Sequence, residues 1–561
     1  MAMNVLQPVE LKINGGQVLI YEDRFELVAG GVPIFSLPVI CEVPVVGGTR
    51  EDIDDPVTLA REVNLVEGGA DIIWRAVSRC WRQKEYHLRV RPDGFHFTIK
   101  LTGAGRPEVI RFFTGKRRVK RPGAYYNAAG YALPVATHAD YLRCTRMIID
   151  SGEIAMGYMV PPTYVFPFWT EGIDEWVGIG LVAREGQYNF DRFQYKNHNH
   201  RCHFEVPLDG RTEVDGEWES QGIWGGIGLD AIDIVRKYSE WHYENGLCRR
   251  RDVKEERWWH GPFFCGWGEQ GALAQKLGIS IYDAASQALY EQMSDHLDAL
   301  DLHPTAVIID DKWQETYGPL MPDPKKWPDL RGFVDREHAK GRRVVLWIKM
   351  WNSEGLDIDE CLSLWSQPIG ADPTNPKYRK RIFDTFRTLL SAEEGCFDCD
   401  GFKLDFANCL ANSPHIKAHE PGVYGVELLK RMFLLLYEAA KAVKPDALIN
   451  CSPAHPYFAE IVDQARLHDY RDDMRCQIPV MRYRQQLYEA AIPGVLIDAD
   501  SSNRIDQREM IQYVLRGVEF GVPDIYMISN TEEVEYTEED WVQLRKIWRA
   551  YSEKVDRQFG I

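Results

Sequence analysis

"GFKLDFANCL", Gly401 to Leu410, decides how the second half of this chain is read. Side chains alternate between the two faces of a strand, so Phe402, Leu404 and Phe406 share one side while Lys403 and Asp405 share the other. The apolar side packs, and the charged side must line something polar. Other short apolar runs precede and follow it: "FFCGW" at 263, "AVIIDD" at 306, "VVLWIKM" at 344, "ALINCS" at 447, "QARLHD" at 464, "VLIDAD" at 495 and "PDIYMIS" at 523. Amphipathic segments of helix length lie between them, among them "SIYDAASQALYEQMSDHLDAL", "PKYRKRIFDTFRTLLSAEEG", "GVELLKRMFLLLYEAAKAV" and "REMIQYVLRGVEFG", several closing on a glycine as helix ends do. Eight strand–helix repeats in about 300 residues predict a (β/α)8 TIM barrel, an α/β fold. The sixth repeat has the least room, squeezed behind "NCSPAHPYFAEIVD".

Upstream the pattern is different. "VLIYEDRFELVAGG", "EYHLRVRPDGFHFTIKLTG", "PEVIRFFTG" and "NHRCHFEVPLDG" alternate apolar and polar residues and break at Gly, Pro, Asn and Asp, which predicts a large N-terminal antiparallel β-sandwich. "IDIVRKYSEWHYENG" reads as an amphipathic helix, and the charged "CRRRDVKEER" after it as a linker. The expected division is therefore 1–250 for the sandwich with its terminal helix and 251–561 for the catalytic barrel.

In such barrels the chemistry sits at the C-terminal ends of the strands. Six of the eight runs end in charge or polarity: Asp310 with Asp311, Lys349, Lys403 with Asp405, Cys451, Asp469, and Asp498 with Asp500. Trp267, Trp313, Trp347 and Trp351 lie near the same ends. Carboxylates converging on one mouth among aromatic rings suit a glycosidase, whose two carboxyl groups flank the scissile bond, roughly 5–5.5 Å apart in retaining enzymes. Strands four and six offer the pair Asp405 and Asp469.

Bulk properties agree with a small or neutral partner. The 561 residues carry 84 acidic and 66 basic side chains, a net charge of -18, which argues against nucleic acid and anionic membrane surfaces. No apolar run approaches the roughly 20 residues of a membrane span, and the N-terminus lacks the pattern of a secretory signal, so a cytoplasmic location is expected. The 12 cysteines are scattered and read as free thiols. "CFDC", Cys396 to Cys399, has no second ligand pair, so neither a metal nor another cofactor is expected. The 17 Trp and 26 Tyr serve sugar clefts and cores alike. The oligomeric state is open, a homo-oligomer included.

"IIDDKWQ", "GFKLDF", "NCSPAHP…VDQARLHDYRDD" and "VLIDAD", in that order, resemble the motifs of glycoside hydrolase family 36, the α-galactosidases and their relatives in clan D. The resemblance spans about residues 260 to 530 and implies a sandwich-plus-barrel fold and a retaining, exo-acting α-glycosidase on a small oligosaccharide or α-glycoside. It implies Asp405 as nucleophile and Asp469 as acid/base, with Asp472 closing the D-x-x-D segment. It also implies that Asp310 and Asp311 hold sugar hydroxyls and that Lys403, Cys451 and Arg466 belong to the site. An α-galactosidase comes first. An α-N-acetylgalactosaminidase, a β-L-arabinopyranosidase, a raffinose-type galactosyl transferase and a silent sugar-binding protein on the same fold remain as alternatives. The C-terminal β-domain of many relatives is expected to be absent.

The chemistry asked of these residues is physical. Lys403 next to Asp405 would favour the ionised carboxylate that a nucleophile needs, whereas Asp469 must hold its proton and should lie near other acids such as Asp472 and Asp473. Plainer readings exist for each group. Lys403 and Asp405 also fit an ion pair inside a barrel, Asp310 and Asp311 a turn or helix cap, Cys451 a small core hydrophobe, and the tryptophans core packing, with Trp267 and Trp347 the best placed to face ligand. Three departures from the family pattern bear on the substrate: "GWGEQG" offers Glu269 or Gln270 to the sugar where relatives usually have an aromatic, "LWIKMWNSEG" places Lys349 and Glu354 after strand three, and Arg466 sits three residues before Asp469.

Overall fold

The structure is a computed structural model and describes the chain except residues 1–7, 49–50, 56–57, 116–127, 131–132, 135–150, 158–162, 199–200, 408–409, 411–412, 468–476, 502–506 and 533. The chain forms two compact units. One comprises Met1–Arg249 together with Gly422–Leu428 and His455–Tyr457, and the other takes the rest. Among the described residues no helix is long and apolar enough to cross a membrane.

Among the described residues the first unit holds two nine-stranded antiparallel sheets. The alternating stretch broken at "RPDG" folds as a hairpin that pairs Gln83–Arg91 with Gly94–Gly105, with Arg91 opposite Gly94 across a two-residue turn. Burial alternates along Gln83–Arg91, so Tyr86, Leu88 and Val90 point inward. Aromatic side chains of the two sheets meet edge to face, Phe25 on Phe95 at 5.0 Å and Phe35 on Phe168 at 4.8 Å between ring centroids. The predicted helix runs Ala231–Glu244, capped by Asp230, whose carboxylate accepts from the Asp233 N–H.

The second unit is the barrel, and all eight predicted runs form its strands: β1 (Phe263–Cys265), β2 (Ala306–Ile309), β3 (Arg343–Lys349), β4 (Gly401–Asp405), β5 (Leu448–Cys451), β6 (Gln464–Arg466), β7 (Leu496–Asp498) and β8 (Asp524–Ile525). Each neighbouring pair is parallel in the order β7-β6-β5-β4-β3-β2-β1-β8. The ring closes where Val522 donates to the Ile497 carbonyl at 2.7 Å and Ala499 to the Val522 carbonyl at 3.0 Å. Gly401 is required at the start of β4, since a Cβ there would meet the Leu448 carbonyl oxygen at 2.3 Å. Outside the ring Phe402 stacks on Phe386 of helix Pro376–Leu390 at 4.2 Å. That helix stops at Leu390 and does not reach Gly395. The cramped sixth repeat is explained by a 3-10 turn, Pro456–Ile461, between β5 and β6.

Candidate active site

Strand β4 supplies the centre of the site. Lys403 and Asp405 both point inside the barrel, but two residues of strand separate them by about 6.6 Å along the axis. They therefore meet different partners. Lys403, 3% exposed, donates to Asp310 Oδ2 at 2.9 Å, to the Tyr526 hydroxyl at 3.2 Å and to Cys265 Sγ at 3.4 Å. Burial opposes its charge, yet Asp310, Cys265 and Asp500 hold the ammonium well above the usual lysine range. The expectation that Lys403 activates Asp405 is thus corrected: its carboxylate partner is Asp310, at its own level of the barrel.

Asp405 is held from another side. Arg466, fully buried on β6, places Nη1 3.2 Å from Asp405 Oδ1, and the Phe406 N–H donates to that same oxygen at 2.8 Å. The Trp347 indole N–H on β3 donates to Oδ2 at 3.1 Å. The Asp405 side chain remains 17% exposed, so a carboxylate fixed by two hydrogen-bond donors and an ion pair with Arg466 faces the mouth. Arg466 Nε also donates to Asp500 Oδ2 at 2.8 Å, and the Tyr526 hydroxyl donates to Asp500 Oδ1 at 2.6 Å.

The paired aspartates after β2 behave differently from each other. Asp310 spends Oδ2 on Lys403 and on the Cys265 thiol at 3.1 Å, and Oδ1 on the Asp311 N–H at 2.8 Å. Asp311 accepts from the Tyr317 hydroxyl at 2.7 Å. Burial pushes its carboxyl up to about 6; the Tyr317 bond and Lys349 work against the shift, and Asp310 and Asp405 add to it. A second acidic cluster lies on β7 and β8. Burial opposes the charge of Asp500, but Arg466, Lys403 and Tyr526 hold it below the usual carboxylate range, whereas burial and that same charge push Asp498 and Asp524 up.

Trp347 is buried, and its carbonyl accepts from Trp313 Nε1 at 2.7 Å and Gln314 Nε2 at 3.0 Å. Trp313 and Trp351 are core residues. Trp267 is half-buried and packs against the cluster of Trp259, Phe263, Cys265 and Tyr526. Lys349 lies over the rings of Tyr317 and Phe406, 4.9 Å from each centroid. Glu354 accepts from Lys312 at 3.3 Å and from the Tyr317 N–H at 3.1 Å. The Cys451 thiol is buried and pushed well above the usual thiol range, chiefly by burial, so it is a neutral, inert group.

Glu269 and Gln270 do not face the mouth. Glu269 is 1% exposed; its carboxylate takes the N–H groups of Ile528 at 2.8 Å and Ser529 at 2.9 Å and the Ser529 hydroxyl at 2.5 Å. Gln270 donates to the Ile281 and Asp311 carbonyls and accepts from Tyr290. In "GWGEQG" the glycine at 268 lets the helix abut the segment after β8, where a Cβ would come within 2.5 Å of the Tyr526 carbonyl.

Asp469, Asp472 and Asp473 lie outside the described residues. Among the described residues, no group of three His, Cys, Asp or Glu side chains could hold a metal ion, and Cys396 and Cys399 are not joined in a disulfide. Sequence reading missed Cys265, Tyr317 and Tyr526. Cys265 and Tyr526 are the polar groups of "FFCGW" and "PDIYMIS", the two runs left without a polar end.

Left-handed backbone clusters at this mouth. Lys312 follows β2 with φ 73°, Trp351 follows β3 with φ 66°, Phe406 follows β4 with φ 58° and Asp500 follows β7 with φ 48°. Each costs roughly 1–2 kcal/mol in a residue with a Cβ, and such strain gathers where geometry is held for function.

No family model and no curated protein matches the sequence. Solved structures share the fold at low identity. A family 36 α-galactosidase, AgaA from Geobacillus stearothermophilus, superposes with TM-score 0.56 at 11% identity over 98% of this chain and 86% of its own. A family 31 sulfoquinovosidase from E. rectale gives TM-score 0.58 at 10% identity over 96% and 83%. The catalytic-subunit complex of ER glucosidase II gives TM-score 0.52 at 12% identity over 96% and 57%.

Proposed function

We propose that the chain is a retaining, exo-acting α-glycoside hydrolase, an α-galactosidase in the first instance, acting on small oligosaccharides or α-glycosides. The observation that carries the reading is Asp405, a part-exposed carboxylate at the end of β4 fixed by Arg466, Trp347 and the Phe406 N–H. Such a group is pre-positioned to attack an anomeric carbon.

In the first step one Asp405 oxygen bonds to the anomeric carbon while the glycosidic C–O bond breaks, and Asp469 gives its proton to the leaving oxygen. Asp469 then takes a proton from water, which attacks the same carbon and frees Asp405. The role of Asp469, and of Asp472 as the acid beside it, rests on the motif resemblance. Asp311, with Tyr317 as its one described side-chain donor, is the better group to accept sugar hydroxyls, while Asp310 anchors Lys403 beneath it. Trp347 and Lys349 border the bound sugar, and Trp267 packs against the Phe263 and Cys265 cluster. Cys451, expected in the site, neighbours the inward Asn450 on β5 and so takes the outer face of the strand, beside Tyr437 and Asp463. The kinship of fold with an α-galactosidase also solved with raffinose supports this substrate class; the alternatives are the α-N-acetylgalactosaminidase, β-L-arabinopyranosidase and galactosyl transferase activities.

The test separates the two carboxyl groups. Asp405→Ala is expected to lose activity on every aryl α-glycoside the wild type cleaves, with azide restoring turnover to a sugar azide of inverted configuration. Asp469→Ala is expected to keep activity on substrates with good leaving groups and to yield an azide of retained configuration. Wild-type inactivity across a panel of α-glycosides, or full activity in both variants, sinks the reading.

A further inference from the structure

The polar interior of the barrel contains a continuous chain of contacts. It runs from Asp310 to Lys403 at 2.9 Å, to the Tyr526 hydroxyl at 3.2 Å, to Asp500 at 2.6 Å, to Arg466 at 2.8 Å and to Asp405 at 3.2 Å. Formal charges alternate along it, with one neutral member in the middle. Tyr526 is that member, 6% exposed, and its hydroxyl is the single contact in the chain between the Asp310–Lys403 half and the Asp500–Arg466–Asp405 half. The hydroxyl accepts from the ammonium and donates to the carboxylate, which fixes its one proton toward Asp500.

The backbone beneath it is fixed as well. The Glu269 N–H donates to the Tyr526 carbonyl at 2.7 Å, and the Glu269 carboxylate clamps Ile528 and Ser529. A buried acid is thus spent on holding the segment that carries the tyrosine.

We propose that Tyr526, clamped by Glu269, is a positioning residue that fixes Asp500 so that Asp500 in turn aims Arg466 at Asp405. The proposal rests on the glycosidase reading of Asp405 but concerns a group that touches no substrate. Asp500 is faced by Arg466 from β6, Lys403 from β4, and Tyr526 and Asp524 from β8, with Asp498 and Tyr513 nearby. Without the tyrosine hydroxyl, Asp500 keeps its cations but loses its shortest donor, and Arg466 gains freedom to turn.

The experiment uses the full chain and Tyr526→Phe. On an aryl α-glycoside, kcat is expected to fall about tenfold to hundredfold, the scale of one hydrogen bond to a charged group, with KM moving less. The acid limb of kcat/KM is expected to move to higher pH, because Asp500 then binds its proton more readily. Wild-type kcat and an unmoved acid limb overturn the proposal.

A second readout needs no activity. Ionised Asp500, its acid strength raised by its partners, stabilises the fold above the ordinary carboxylate value and loses that contribution as pH falls below it and through the lowered value of Asp500. The Tm gap between wild type and Tyr526→Phe is therefore expected to be widest at neutral pH and to narrow below about pH 4. A gap equal at every pH marks a merely packed ring and overturns the proposal. Wild-type inactivity strikes the glycosidase reading and leaves this readout standing. If Tyr526→Phe does not fold, Glu269→Gln is expected to give the same kcat loss and acid-limb shift, and wild-type values there overturn the clamp.

Discussion

Asp310→Asn removes the charge opposite Lys403 without removing volume, and Lys403→Met removes the other partner. Both side chains are almost sealed, 3% exposed for Lys403 and 4% for Asp310, so neither stranded charge can recover solvent. Breaking a buried pair from one side costs about 3–5 kcal/mol. Asn keeps a carbonyl oxygen for Lys403, which also retains Tyr526 and Cys265, so Asp310→Asn is expected near 3 kcal/mol, at the low end of that scale. Lys403→Met leaves Asp310 with the Cys265 thiol and the Asp311 N–H and is expected slightly higher in the same range, about 3–4 kcal/mol. The double variant strands no charge, so it should be less destabilised than the sum of the singles by about 2–4 kcal/mol, well beyond the few tenths expected of independent sites. Denaturant unfolding followed at a probe in the barrel, on all four proteins of the cycle, measures that coupling. The chain has two units, so only the barrel transition enters the comparison. Additive single effects would refute the pairing and return Lys403 to a role beside Asp405.

Two further predictions follow from the mouth. Asp311 titrates near 6, so if its carboxylate accepts sugar hydroxyls, affinity for a neutral monosaccharide should rise as pH is raised through about 6 and flatten in Asp311→Asn; calorimetric titration at pH 5 and 7 checks it. Trp347→Phe deletes the indole donor to Asp405 while keeping an aromatic ring, and kcat should fall about tenfold or more, as expected for a hydrogen bond to a charged group, with KM changed less in steady-state kinetics.

Period and punctuation made the architecture legible. β-strand alternation in "GFKLDF" separated Phe402 from Lys403 and Asp405 on the other face, and short apolar runs between helix-length segments located the barrel strands. Neither period nor propensity carries the stagger of strands around a barrel, and that stagger decides who meets whom. Lys403 therefore read as a neighbour of Asp405 when it faces Asp310 and Tyr526 across the interior. The sandwich holds a similar case: Lys84 falls on the inward side of Gln83–Arg91, fully buried, and is held by Asp52 at 2.7 Å and Asp54 at 2.8 Å from outside the strand. Glu269 misled for another reason. A charged residue after "GW" suggests a ligand group unless the backbone N–H groups of Ile528 and Ser529, distant in sequence, are known to converge on it.

The charge distribution separates the tasks of the carboxyl groups at this mouth. Asp310 and Asp500 each have a cation within 3 Å and stay sealed, so they act as fixed counter-charges for Lys403 and Arg466. Asp498 and Asp524 are pushed toward the protonated state by burial and by neighbouring carboxylate charge, so they take up a proton more readily than Asp500 does. That leaves Asp405 and Asp311 as the described acids turned toward the opening, one fixed by two hydrogen-bond donors and the Arg466 ion pair and the other raised to about 6. A nucleophile needs the first condition and a hydroxyl acceptor tolerates the second. In the proposed reading, exchanging those roles would require Asp405 to give up Arg466, whose Nε is bonded to Asp500.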